Sequence, residues 1–278
     1  MRTKIWLICR RAIKERLLVS RWSLRMAAHI FVGAAALTLT VALFAYLLAP
    51  SYTRAALRAV MEIYQARANW AFRYLAELPA IILNNGAAAF TASGLGVVGA
   101  LTIAALHRRT GEGSFSSRNF DPFSAFVVQG VIAAARLVLP KLTDLHNFAI
   151  RTAVAVAALP PLLSLVCNGG LLGIWLGSAF AEEQLEGMGK AIVSIAPHAV
   201  FELPAVCLAA AVGLQIAAWL MEQPAEEPHA FIQRARQCLR SPLLHRTWGG
   251  LFLLILIGAV LETRISWGLQ EQLFAAVP

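Results

Sequence analysis

The sequence predicts an all-α, polytopic membrane protein of about five transmembrane helices, with amphipathic helices at the interfaces. Three observations carry that. The 278 residues are 59% hydrophobic and 14% charged, with a mean hydropathy of +0.66. A soluble chain is roughly half apolar and about 25% charged. Apolar stretches recur at spanning length, since about 20 helical residues cross a hydrocarbon core of roughly 30 Å. Basic residues crowd beside those stretches and give a net charge of +9. So little polar surface excludes a water-soluble enzyme, a disordered chain and a disulfide-stapled secreted domain.

Residues 1–25 carry eight Lys and Arg and one acid, Glu15. Trp6, Cys9, Ile13 and Leu17 recur at helical spacing, so a basic amphipathic helix is expected on the cytoplasmic lipid surface. The remainder, 26–278, is expected to form one membrane domain. Residues 26–48 are apolar, about 34 Å of helix. That is too long for the core of a signal peptide and makes a first span.

Residues 50–79 differ. Leu57, Val60, Met61, Tyr64, Ala68, Phe72 and Leu75 recur at three and four, among Arg54, Arg58, Arg67 and Arg73. With Tyr52, Trp70 and Tyr74 beside them, this pattern predicts an amphipathic helix at the outer interface, ended by Pro79. Residues 81–106 form a second span that opens on Asn84-Asn85 and contains Gly94, Gly96 and Gly99. A polar loop follows from His107. Residues 123–139 are apolar but short and include Gln129 and Arg136, so they are expected at the inner interface or as a re-entrant piece.

The third span, 152–179, holds Pro160, Pro161 and Asn168. The fourth, 188–220, exceeds thirty residues and is expected to tilt, kink or break, with Pro197 and Pro204 as the cause. Residues 221–246 read as a charged loop, and 248–266 as the fifth span. Counting Lys and Arg tests this topology. The segments placed inside (1–25, 107–151 and 221–246) hold 18, and those placed outside (49–80, 180–190 and 262–278) hold 6. Letting 123–139 span as well would bring the two sides to about 12 each, which removes the bias the rule expects. The amino terminus is therefore expected in the cytoplasm and the carboxy terminus outside.

Ionisable groups inside a span are costly, about 2.5–3.5 kcal/mol each on insertion scales, so they mark function by default. His198 and Glu202 stand four apart and share a helix face. Pro197 and Pro204 flank them, each freeing a backbone carbonyl. A broken helix bearing such a pair resembles the ion sites of transporters. The alternatives are a buried pair that pins two helices, or part of a metal site. Two ligands fall short of a zinc shell, so no metal and no cofactor is expected.

Asn168 precedes Gly169, Gly173 and Gly177, a twice-repeated small-xxx-small face on which another backbone can pack, from the same chain or a second copy. Asn85 and Glu262 complete the polar set. Cys9, Cys167, Cys207 and Cys238 show no CxxC spacing, and no disulfide is expected. No nucleophile, zinc-protease, nucleotide or dinucleotide pattern stands in a supporting context. No enzyme activity is therefore expected, and any active export would draw on a partner or another energy source.

Several strings converge. Asn84-Asn85 at a span start, Asn168-Gly169 with Gly173, Pro197-His198-xxx-Glu202-Leu203-Pro204-Ala205 leading to Gly213-Leu214, and a last span ending in Glu262 occur in that order. Together they resemble the stage II sporulation protein M-like family of membrane proteins over roughly 80–266. Residues 107–150 look like an insertion relative to the family, and Ala199 stands where the family usually has glycine. The resemblance implies a non-enzymatic protein of a bacterial or archaeal cell membrane, a scaffold or subunit of an envelope or secretion assembly. A transporter or channel subunit using His198 and Glu202 is the second expectation. The expected partners are anionic lipid, further copies of the chain as a homodimer or larger oligomer, and other membrane proteins. Nucleic acid is not expected.

Overall fold

The structure is a computed structural model that describes residues 19–110, 121–221, 227–266, 268, 269 and 272, without the side chains of 64–74 and Thr110. The expected amphipathic pattern of Trp6, Cys9, Ile13 and Leu17 lies outside the described residues. So do the side chains of Trp70 and Tyr74, the loop 111–120 and most of the carboxy-terminal tail.

Every regular element among the described residues is helical. These are α1 (Arg21–Leu48), α2 (Pro50–Tyr74), α3 (Glu77–Phe90), a π-helical turn (Thr91–Leu95), α4 (Gly96–Thr110), α5 (Pro122–Arg136), a 3-10 turn (Pro140–Asp144), α6 (Phe148–Met221), α7 (Pro228–Leu239), α8 (Pro242–Leu261) and a second π-helical turn (Glu262–Ser266). Four stretches are long and apolar enough to cross a membrane: Arg21–Leu48, Glu77–Arg109, Phe148–Met221 and Pro242–Ser266.

Local chemistry explains the boundaries. Ser20 and Ser23 exchange reciprocal bonds, each backbone N–H donating to the other's hydroxyl at 3.1 Å, so α1 starts five residues before the apolar run. Asp121 caps α5 by accepting from the N–H groups of Phe123 and Ser124, each at 3.0 Å. With 15 residues, α5 is about 22 Å long, short of the hydrocarbon core.

Three expectations change. The amphipathic helix 50–79 ends at Tyr74, and Pro79 sits in the first turn of α3, where a missing N–H costs nothing. Residues 221–246 are not simply a loop. They include α7 and the first turn of α8, and Phe231, Ile232, Ala235 and Cys238 form a buried stripe at helical spacing.

The third change concerns the break between the third and fourth spans. Helix α6 has 74 residues, about 111 Å if straight. Its non-helical backbone lies at Glu183 (φ −127°, ψ 21°) and Gln184 (φ 58°, ψ −140°), and the helix runs unbroken through Pro197 and Pro204. A proline removes one internal hydrogen bond, which a helix held by its neighbours tolerates. The break instead falls in the polar string Glu182-Glu183-Gln184. There Lys190 Nζ reaches Glu183 Oε2 at 2.7 Å and Glu186 Oε1 at 3.1 Å. Gly187 lies against the Ala179 carbonyl, though eight residues of straight helix would separate them by about 12 Å, so the chain folds back here.

The chain divides into two compact units. One contains Met1–Ala27, Phe90–Ser164 and Leu208–Gly250. Glycines govern its packing. Gly96 meets the Ala157 carbonyl, Gly213 meets the Ala92 carbonyl, and a side chain at either position would collide with that backbone. Trp248 Nε1 donates to Ser93 Oγ at 3.0 Å, inside the first π-helical turn. The other unit contains Ala28–Ala89, Leu165–Cys207 and Leu251–Pro278. In it the ladder Gly169, Gly173 and Gly177 receives α1 of the same chain, at Phe31, Ala35, Thr38 and Ala42.

Candidate polar site within the membrane helices

The second unit holds all five residues of the expected polar set. Helix α6 brings His198 and Glu202 to one face, with side chains only 13% and 20% exposed. Their nearest atoms, His198 Nε2 and Glu202 Oε2, stand 4.0 Å apart, too far for a direct hydrogen bond. Asn85, on α3, donates from Nδ2 to Glu202 Oε1 at 2.8 Å. This ties one carboxylate oxygen and leaves the other toward the histidine.

Glu262 joins from the π-helical turn that follows α8. Ligating atoms of His198, Glu202 and Glu262 all lie within 4.8 Å of one another. Ser266, four residues further, places its Oγ 2.7 Å from His198 Nδ1. π-Helical turns widen a helix locally and occur often at functional sites. Gly258, four residues before Glu262, lacks the side chain that would otherwise press on Glu202 Cγ.

Asn168 lines a cavity of about 220 Å³ together with Asn84, Asn85 and Glu202, and Cys167, Leu171, Ala205 and Ile255 supply apolar wall. Glu202 thus belongs to both the cavity and the His–Glu–Glu cluster. One role differs from the sequence expectation. Pro197 and Pro204 are helix-interior residues, not the ends of a broken segment. Glu262 is a neighbour of His198 and Glu202, in keeping with its place in the expected polar set.

Sequence reasoning missed Ser266 and Gly258. Both lie four residues from Glu262, so the periodicity of one helix face would have found them once Glu262 was singled out. Cys167, Cys207 and Cys238 are free thiols.

Residues 145–267 match the family model for Stage II sporulation protein M. Over this stretch the chain is similar to the stage II sporulation protein M family. The match takes in Asn168, the glycine ladder, His198, Glu202, Gly258, Glu262 and Ser266. It starts later than the resemblance over 80–266 suggests, so Asn84, Asn85 and helix α1 lie outside the matched stretch. No curated protein and no solved structure matches the chain.

Proposed function

We propose that the chain is a non-enzymatic, multi-pass subunit of an envelope or secretion assembly, and that it takes up a small cation or a proton at its polar site. The observation that carries this reading is the 220 Å³ cavity walled by Asn84, Asn85, Asn168 and Glu202. Four polar side chains around an open space, in helices of spanning length, are expensive if they only hold helices together. A space that size takes several waters or a small solute, and it adjoins titratable groups from two helices.

A pure scaffold is the second reading. The Asn85–Glu202 bond favours it, because that bond joins α3 to α6 much as a structural pin would. Reconstitution into liposomes separates the two. The transport reading expects pH-dependent ion flux that His198→Ala and Glu202→Ala abolish while the protein still assembles. Loss of folding in both variants, with no flux in the parent, would leave the scaffold reading standing.

A further inference from the structure

We infer that His198, Glu202 and Glu262 form a binding site for a divalent transition-metal cation of the zinc class, with a coordination position left open beside the polar cavity. The sequence offers only the His198–Glu202 pair, which is too few ligands. The fold supplies the third from sixty residues away, at the end of α8.

Donor chemistry selects the ion. One imidazole nitrogen and two carboxylate oxygens suit zinc and its neighbours. Calcium takes six to eight oxygens, and magnesium keeps most of its waters. Three protein ligands with an open position are the pattern of an exchangeable site, whereas structural zinc sites close with four.

The geometry around the ligands also fits. Ser266 Oγ sits on His198 Nδ1 at 2.7 Å. When Nδ1–H donates to that hydroxyl, the lone pair of Nε2 faces Glu202 Oε2 across 4.0 Å, acceptor toward acceptor. Such a gap calls for something positive between them. Asn85 holds the other oxygen of Glu202 at 2.8 Å. Outer hydrogen bonds of this kind, made here to two of the three ligands, are what fix the orientation of metal-binding side chains. Tetrahedral coordination at about 2.0–2.2 Å brings ligand atoms to roughly 3.4 Å from one another. The 4.8 Å cluster reaches that by side-chain movements of about an ångström. Two neighbouring carboxylates repel in a low dielectric, and a dication between them turns the repulsion into attraction.

The inference rests on the polar pocket being a binding site, as proposed above, but not on transport. It is tested on the full chain, tag removed, in detergent, stripped with chelator and dialysed against Zn²⁺, with Mg²⁺ and Ca²⁺ as controls. Elemental analysis is expected to find one Zn²⁺ per chain. Ser266→Ala should weaken binding by roughly 10- to 100-fold, and Glu262→Gln and His198→Ala by at least as much. Zn²⁺ should raise the melting temperature of the parent and leave that of Glu262→Gln unchanged.

Cobalt substitution in the parent needs no variant to fold. Its spectrum should report the nitrogen and oxygen ligands of the cluster, and it would reveal thiolate if Cys167, which lines the adjoining cavity, bound the ion instead. Thiolate ligation, no stoichiometric Zn²⁺, or binding untouched by Glu262→Gln would overturn the site. Zn²⁺ bound without flux in liposomes would keep the metal site and sink transport. Proton flux without Zn²⁺ binding would do the reverse.

Discussion

At the scale of residues, the polar cluster depends on small allowances made for Glu202. Gly258 leaves room for its side chain, and Asn85 occupies one of its two oxygens. A hydrogen bond between membrane helices is worth about 1 kcal/mol, because the unfolded chain in lipid also finds partners. Asn85→Leu should therefore destabilise the protein, and so should Glu202→Leu. The double variant should cost about 1 kcal/mol less than the sum, since each single change strands the other partner. Reversible unfolding in mixed micelles measures all four proteins, and strict additivity would show that the 2.8 Å contact carries no energy. His198 and Glu202 were legible because i and i+4 share a helix face. Their association with Glu262 was not, because nothing in a sequence of apolar spans states which helix ends meet.

Helices are the next scale, and their contacts explain why some glycines are needed and others are not. A Cβ at Gly173 would run into the Thr38 hydroxyl and the Ala35 carbonyl of α1. Thr38 donates that hydroxyl to its own helix, to the Ala34 carbonyl at 2.8 Å, so its hydrogen needs no partner on the ladder. Gly173→Leu should separate α1 from α6 and lower the melting temperature in detergent markedly. Gly33→Ala, on α1 in open space, should be neutral or slightly stabilising, as alanine is the better helix former. Equal melting of Gly173→Leu and parent would remove the ladder from the account. The small-xxx-small face was visible in the sequence, but whether its partner was this chain or another was not.

A different element shows a pH dependence. Bonds from Ser124, first its hydroxyl at 2.5 Å and then its backbone N–H, hold the exposed Asp121 carboxyl below its ordinary range. A depressed folded pKa adds stability that is present above the unfolded value and lost as pH falls through the folded one. Hydrogen-exchange protection factors across 122–136 should therefore stay constant from neutral pH down to about 4, and the start of α5 should open only below that. Asp121→Ala should open it at neutral pH as well. Equal exchange in both proteins at pH 7 would show that the cap does not hold the helix.

For the molecule as a whole, the break in α6 decides how many times the chain crosses. Residues Glu183 and Gln184 divide its 74 residues into two pieces, each long enough to span, so the four apolar stretches have the length for five crossings. An odd number of crossings would put the termini on opposite sides, and the basic-residue bias leads to the expectation of an amino terminus inside. In a background lacking the four native cysteines, Ala225→Cys should react with an impermeant thiol reagent only from the cytoplasmic side. Gln272→Cys should react only from outside. Labelling of both from one side would end the five-crossing arrangement.

Composition and periodicity alone determined that this is a helical membrane protein. They also located its apolar stretches to within a few residues and singled out the ionisable groups that a bilayer makes expensive. These are one-dimensional properties: hydropathy sums along the chain, and helix faces repeat every 3.6 residues. The tertiary structure decided where α6 breaks, which helix fills the glycine ladder, and which carboxylate stands opposite His198. Pro197 and Pro204 look like breaks because a proline deletes a hydrogen bond, a cost local to the sequence. The chain turns instead at Glu182-Glu183-Gln184, where charged groups find partners in Arg58 and Lys190. A partner from a distant helix is set by packing in three dimensions, and no spacing along the chain encodes it.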